Sequence, residues 1–313
     1  RASDVKRMIF AGDHRQLSAV AHACDVDMKL AYGISPFERL LLEGHPKSTL
    51  NVQHRMNSEI SKFPSAYFYG GVLQDATEVA DASAFDSRFD DASVVSGGFV
   101  LRLGKYTFLD WRGEESKSSK SSCINKSEAQ VVAASVRAVL RHARDGMSVA
   151  VITPYVAQKD EIRALLPDNL NARVRCSTVD GYQGQEEDVV IFSCVRTNRL
   201  GFLKDERRLN VAITRAKKSL LIVGSAELLR KENNAWSALV EDAERRGRLH
   251  KVREASAGET EGRVTFDRDF REKTINTIEK TALERQRELA AESLSMTAEG
   301  TSRDVEGKRK MEN

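Results

Sequence analysis

The sequence has little of what would place it in a membrane, a disulfide framework or a metal cluster. Its longest apolar runs, such as Leu220–Val223 and Val189–Phe192, fall far short of the ~18 residues a spanning helix needs. The first residues, Arg1 to Arg15, mix charges around a short Met8–Ala11 run and do not form a signal peptide. Only four cysteines occur, Cys24, Cys123, Cys176 and Cys194, widely spread and with no C-x-x-C pair. That argues against disulfides or a zinc site and fits a reducing, intracellular compartment, nucleus or cytoplasm. The six histidines show no H-x-x-x-H or mixed Cys/His spacing, so no metal ligand is assigned. Charge of one sign is also scarce. The 49 Lys/Arg and 46 Asp/Glu leave a net +3, so nucleic-acid binding must be argued from local placement rather than a global field. No internal repeat is evident.

What is present suits a globular protein. The 313 residues, 41% hydrophobic and 30% charged, allow about two domains with a packed core. Arg7–Gly12 reads as a buried strand running into the polar loop Asp13–Gln16. Residues 35–45 predict a short helix with Phe37, Leu40 and Leu41 on one face. Ser58 caps a second helix carrying Ile60 and Phe63 and ending near Pro64, and Gly70-Gly71 is a turn. Residues 74–98 are acidic and weakly periodic, like a surface insertion. Residues 99–111 alternate as one or two strands, and the Ser/Lys/Glu-rich 112–122 reads as a mobile loop.

From residue 125 the pattern is regular. Asn125 or Ser127 caps a helix with Val131, Val132, Val136, Val139 and Leu140 at helical spacing, stopped by Gly146. Apolar strands at Ser148–Ile152, Arg173–Cys176, Val189–Val195 and Leu220–Val223 alternate with helices at about 157–166, 206–214 and 234–246. This alternation predicts an α/β fold with a parallel sheet and helices on both faces. After 250 the chain becomes charged, with a helix at about 267–294 and otherwise a disordered tail. The expected domains are 1–50, the end of a first α/β domain; 51–250, a second one with a variable insert at about 74–122; and 251–313, a charged helical or disordered tail.

In a parallel sheet, ligands gather at the strands' carboxyl ends. Three such ends lead into polar clusters, at Gly12–Leu17, Thr153–Tyr155 and Ser177–Gly184, and suggest one active edge. Ser177 and Thr178 offer hydroxyls suited to phosphate. Gly181 and Gly184 permit close backbone approach. Glu186, Glu187 and Asp188 follow; a plain tight turn with an acidic rim remains the alternative. Basic residues crowd Arg199–Lys218, seven of them (Arg199, Lys204, Arg207, Arg208, Arg215, Lys217, Lys218) against Asp205 and Glu206. Arg215 sits near the end of a packed helix, where a guanidinium can meet a phosphate at little entropic cost. A solvated helix face is the alternative. Arg55 follows a short strand, Leu50–Met56, where a surface role is the commoner one.

Together these segments resemble the C-terminal motor half of superfamily 1 helicases of the nonsense-mediated-decay (up-frameshift) and senataxin group. Gly12-Asp13-His14-Arg15-Gln16-Leu17 is similar to motif III. Gln53-His54-Arg55-Met56-Asn57, with Ile60–Ser65 and Phe68-Tyr69, is similar to motif IV. Val151–Tyr155 with Gln158 resembles the family's T-P-Y-x-x-Q element, Thr178–Asp188 its motif V and Arg208–Lys217 its motif VI. The five motifs span residues 8–224; the insert and the tail lie outside them.

The resemblance implies two RecA-like domains with ATP and Mg2+ between them. Gln16 would read the γ-phosphate, and Arg55 and Arg215 would act as arginine fingers. Gly184 and Glu186 would lie at the nucleotide, Glu186 on its ribose, and His54 would stand beside the adenine. Thr153, Tyr155, Ser177 and Thr178 would line the groove for single-stranded RNA or DNA, with salt-sensitive, nearly sequence-independent contacts.

One departure qualifies this. No G-x-x-x-x-G-K-[ST] phosphate loop occurs. That loop and the acidic motif holding Mg2+ are expected before Arg1, in a missing N-terminal motor domain that would be this chain's partner. The sequence therefore predicts the C-terminal part of an ATP-dependent helicase that does not hydrolyse ATP alone. The alternative is a non-catalytic RecA-like module that grips single-stranded nucleic acid; the coding sequence upstream of Arg1 separates the two. A nuclease-associated helicase part is a third reading, without a D-x-n-E-x-K cluster to support it.

Overall fold

Neighbouring residues on each central strand point to opposite faces, and here both faces are apolar. Phe108, Ile152, Phe192 and Ile222 pack into one core with Trp236, Leu239 and Leu209. Their neighbours Leu109, Val151, Ile191 and Leu221 pack into a second core with Val131, Val132 and Val139. Strands buried on both sides need helices above and below, as in parallel α/β sheets. The computed structural model describes residues 6–17, 34–85, 91–118, 122–232 and 234–265.

In chain order the elements are α1 (Pro36–Leu42), β1 (Val52–Gln53), α2 (Ser58–Tyr69), β2 (Gln74–Asp75), β3 (Ser93–Ser96), β4 (Phe99–Arg102), β5 (Tyr106–Asp110), β6 (Glu115–Lys117), β7 (Cys123–Asn125) and α3 (Lys126–His142). Then come β8 (Val149–Thr153), α4 (Val156–Leu165), β9 (Val174–Thr178), β10 (Glu187–Ser193), α5 (Glu206–Ile213), β11 (Ala216–Gly224), α6 (Ala235–Arg245), β12 (Leu249–Lys251), β13 (Arg253–Glu254) and β14 (Val264–Thr265). The central sheet has six strands in the order β12-β5-β11-β10-β8-β9, and every pairing is parallel. This is the parallel α/β arrangement the alternation predicted, and it agrees with the RecA-like fold that the family resemblance implied. A smaller antiparallel sheet, β13-β4-β3-β14, flanks it.

Register fixes the edges. Thr153 faces Thr178, Ser193 faces Val223, and Gly224 faces Asp110. These strands therefore end along one carboxyl edge. At the other edge Glu187 faces Ala216.

Several expectations need correction. The Arg7–Gly12 strand does not form: the segment is irregular, and Ile9 is 84% exposed. An apolar run becomes a strand only where neighbours satisfy its backbone, and the described residues supply none to it. Met8 and Phe10 are exposed as well. Asn57, not Ser58, caps α2, and Pro64 lies inside that helix, which runs on to a left-handed Gly70. Helix α3 stops at His142, before Gly146.

The 74–122 insert is not separable. β5 lies inside the central sheet between β11 and β12, and Ala84, Phe85 and Val94 are fully buried. The 112–122 loop contains β6, which pairs antiparallel with β7. The tail does not begin at 251, since β12 joins the central sheet and β13 and β14 join the smaller one. Short strands with alternating charge carry too weak an apolar signal to be seen without their partners. The helix expected at 267–294 lies outside the described residues, as does Cys24. Cys123, Cys176 and Cys194 are free thiols.

Candidate functional site

Two groups of candidate residues lie at opposite edges of the sheet: of the three loops expected along one edge, those after Thr153 and Thr178 share it, while Gly12–Leu17 lies with the other group, Gln16 on Arg215. Arg55, Glu186 and Arg215 gather where β10 and β11 begin. Thr153, Tyr155, Ser177 and Thr178 lie where β8 and β9 end.

At the first edge, Gln53 folds the chain into a tight turn. Its Oε1 accepts from the amides of Arg55 (2.9 Å) and Met56 (2.7 Å). Its Nε2 donates to Met56 O at 2.7 Å and to Asp75 at 2.6 Å. Met56 anchors the turn in the core, so Arg55 projects outward. Arg55 Nε donates to Glu186 Oε2 at 2.5 Å and Nη1 to Thr214 O at 3.2 Å. Lys217 meets the other oxygen of Glu186 at 3.0 Å. Hydrogen bonding from Lys217, with Arg55 behind it, holds the Glu186 carboxyl below its usual range. Both of its oxygens are engaged, so Glu186 orients Arg55 in this arrangement. Gly184 adopts φ +81° with open space at its Cβ position, a backbone that favours glycine.

Arg215 follows the last turn of α5. It is 2% exposed, and its hydrogen bonds go only to neutral groups. Nε donates to Val211 O at 2.8 Å, and Nη2 to Gln16 Oε1 at 3.0 Å and Thr214 Oγ1 at 3.1 Å. Nη1 reaches Gln185 O at 3.5 Å. Among the described residues no carboxylate forms an ion pair with it. Burial, and then the neighbouring Arg55 charge, pull its pKa down to about 10. A buried cation with neutral partners costs free energy that an incoming anion can recover.

Gln16 links this arginine to the polar loop. Its Nε2 donates to Asp13 Oδ2 at 2.9 Å. Tyr69 donates to the same Asp13 oxygen at 2.6 Å and accepts from Asn210 at 2.8 Å. Burial and Asp13 push the Tyr69 hydroxyl up to about 12, so it stays a donor. Asp13, Tyr69 and Asn210 were visible within the motif-like segments, but their mutual bonding depends on the fold. His54 is exposed, and its Nδ1 lies 2.6 Å from Glu78; it does not join the arginine cluster.

A cleft of about 700 Å³ lies nearby, lined by His14, Arg15, Leu41, Phe68 and Asp205–Arg207 among others. None of Gln16, Arg55 and Arg215 lines it. No group of three His, Cys, Asp or Glu side chains suited to a metal occurs among the described residues.

At the carboxyl edge the structure divides the four candidates. Thr153 is fully buried, and its Oγ1 has no hydrogen-bond partner. Tyr155 is also buried, and its hydroxyl accepts from Arg196 Nη1 at 3.1 Å. Neither side chain is open to a groove. Ser177 and Thr178 are half-buried. Thr178 Oγ1 accepts from the Gly181 amide at 3.3 Å. A Cβ on Gly181 would meet Ser177 Oγ at 2.9 Å, so glycine permits this hydroxyl–amide cluster.

The molecule is thus of the parallel α/β class, with a buried guanidinium at one edge of its central sheet. Residues 32–227 match the family model described as AAA domain, and the chain belongs to that family. Within it the chain is a superfamily 1 helicase-type sequence of the up-frameshift and senataxin group, as its relatives show. "Probable helicase MAGATAMA 3" of Arabidopsis thaliana is 37% identical over 265 residues, spanning 80% of this chain and 31% of that protein. "ATP-dependent helicase NAM7" of Saccharomyces cerevisiae is 34% identical, over 75% of this chain and 24% of that protein. "Helicase sen1" of Schizosaccharomyces pombe is 34% identical, over 87% and 16%. The chain thus spans less than a third of the length of these relatives.

Proposed function

We propose that this chain supplies the second motor domain of an ATP-dependent helicase that couples ATP hydrolysis to movement along single-stranded RNA or DNA. The observation that carries the reading is Arg215, a nearly inaccessible guanidinium whose partners are all neutral. A triphosphate is the anion this geometry suits. Arg55 stands beside Arg215, and the two guanidiniums would neutralise charge that develops on the transferred phosphoryl group. Gln16 bonds directly to Arg215 and would relay the state of the phosphate to the loop at Asp13 and Tyr69. Gly184 would let the nucleotide approach the backbone closely. His54 would border the adenine once it leaves Glu78. Ser177 and Thr178 would meet phosphates of the strand, with Thr153 and Tyr155 supporting them from beneath. Mg2+ would offset charge on the phosphate oxygens, and its ligands would come from the first motor domain, since the carboxylates gathered here, Asp13 and Glu186, are engaged by Gln16 and Tyr69 and by Arg55 and Lys217.

The phosphate loop and its lysine are not among these residues. The purified chain is therefore expected to show no ATP turnover above background, with or without single-stranded nucleic acid. Joined to a first motor domain that carries the loop, it is expected to turn over ATP. There, Arg215→Gln should lower kcat by roughly a thousandfold or more. Turnover by the chain alone, or an unchanged kcat in that variant, overturns the reading.

A further inference from the structure

We propose that Phe202 is a stacking platform for one nucleobase of a single-stranded nucleic acid at the carboxyl edge of the sheet. This rests on the nucleic-acid reading above and adds a base subsite to its phosphate contacts.

Phe202 is 58% exposed, yet it is held firmly. It sits in a short 3-10 turn, Gly201–Lys204, between β10 and α5. The next residue, Leu203, is buried, and its carbonyl accepts from Trp236 Nε1 at 2.7 Å. The Phe202 amide donates to the Tyr155 hydroxyl at 3.4 Å. Its ring leans on the Tyr155 ring at 5.7 Å between centroids, tilted by 57°. The Arg208 guanidinium lies 5.6 Å from the ring centroid. Arg208 is itself fixed, donating to Asp180 at 3.0 Å and to Asp205 at 2.9 Å.

Gly201 makes this packing possible. It has φ +54°, and a Cβ there would come within 2.4 Å of Arg196 Nη1 and 3.0 Å of the Tyr155 hydroxyl. The chain thus uses a glycine, a buried tyrosine and two arginines to support a ring that leaves more than half its surface in water. An exposed apolar side chain gains nothing for the fold by being so ordered. A ring already immobilised loses little further entropy when a flat partner stacks on it.

The surroundings favour a nucleobase as that partner. Asp180, which Arg208 grips, is two residues beyond Thr178 and next to Gly181. The ring and the hydroxyl–amide cluster therefore belong to one edge, a π-surface beside groups suited to phosphate. Sequence reasoning placed an aromatic here as Tyr155; the fold buries Tyr155 and exposes the ring it supports.

The test compares the full chain with Phe202→Ala and Phe202→Trp. Each is titrated with a fluorescein-labelled oligothymidylate and with a base-free deoxyribose-phosphate strand of equal length. The wild type should bind the base-bearing strand about 5- to 150-fold more tightly, the range for one aromatic–base stack. Phe202→Ala should remove most of that ratio while leaving base-free affinity unchanged, and Phe202→Trp should keep it. Unfolding midpoints of the three proteins check that the fold is intact. A ratio that survives in Phe202→Ala overturns the proposal, as does wild-type binding that ignores bases and points to a phosphate-only groove. If the wild type binds neither strand, the nucleic-acid reading fails first and the platform with it.

Discussion

A guanidinium removed from water and given only neutral acceptors is a stability cost at the scale of one residue. The pKa of Arg215, drawn down from its ordinary value to about 10, expresses that cost. Between those values the unfolded chain holds more protons than the folded one, so stability rises with pH there; below pH 10 the deficit is fully present. Arg246 is the contrast. It donates to Asp242 at 2.8 Å and Glu59 at 2.9 Å and stands over the Tyr106 ring at 4.9 Å. Its pKa is raised even though burial opposes the shift. Replacing Arg246 removes two buried ion pairs and costs stability, although Asp242 keeps Arg245 and Glu59 keeps Lys62 and Arg248; replacing an unpaired arginine removes a cost. Arg215→Gln is therefore expected to stay within about 1 kcal/mol of wild type, or above it, in urea unfolding at neutral pH. Arg246→Gln should fall well below. Equal losses in the two variants would show that Arg215 is held for the fold rather than for a phosphate.

At the scale of elements, Glu115 ties β6 of the β6–β7 hairpin to the loop after β10, while Asn125 ties β7 to the same loop. Glu115 Oε2 accepts from Arg196 Nε at 3.0 Å and from the amides of Thr197 at 2.7 Å and Asn198 at 3.3 Å. Both members of the ion pair are largely buried. Those bonds hold its carboxyl below the usual range despite burial. Glu115→Ala leaves Arg196 without its charge partner and should cost about 3–5 kcal/mol. Glu115→Gln, which keeps an acceptor, should cost less; the two denaturant midpoints decide. A hairpin that contributes nothing would leave both midpoints at the wild-type value. The sequence did not show this element, because Ser, Lys and Glu around 112–122 read as a loop when the arginine that holds Glu115 is 81 residues away. The β8–β11 strands and α3–α6 were legible, since apolar strands and helical periodicity are local signals. β5 was legible as a strand but not as part of the main sheet. Pairing order is a property of tertiary contacts. For the same reason Arg55, Gln16 and Arg215 could be named from motif spacing, while the Asp13–Tyr69–Asn210 network could not.

For the whole molecule, opposing proton equilibria shape stability across the near-neutral range. Glu128 lies fully buried at the head of α3. Its Oε1 accepts from Ser193 at 2.6 Å and Val195 N at 2.8 Å, and Oε2 has no partner. Desolvation raises its pKa to about 8 despite those hydrogen bonds. The folded state therefore keeps a proton that the unfolded chain has released. This contribution is complete below about pH 4.5 and is lost as pH rises through 8. His250 works the other way. Burial, then Arg102, lowers its pKa to about 4, so its contribution is complete above 6.5 and lost as pH falls through 4. Glu59, held down to about 2 by Lys62 and Arg246 despite burial, adds to the loss on the acid side. Above pH 6.5 the histidine no longer changes, and among the described residues Glu128 sets the slope. One proton over 1.5 pH units amounts to about 2 kcal/mol. Unfolding free energy should thus be level between about pH 4.5 and 6.5, where the two oppose each other, and decline by about that amount towards pH 8. Glu128→Gln cannot ionise and should flatten the decline, so that the variant gains on wild type at pH 8 relative to pH 6. Parallel curves for the two proteins over that interval would mean that Glu128 is ionised in the folded chain, with water or a rearranged Ser193 loop solvating its carboxylate.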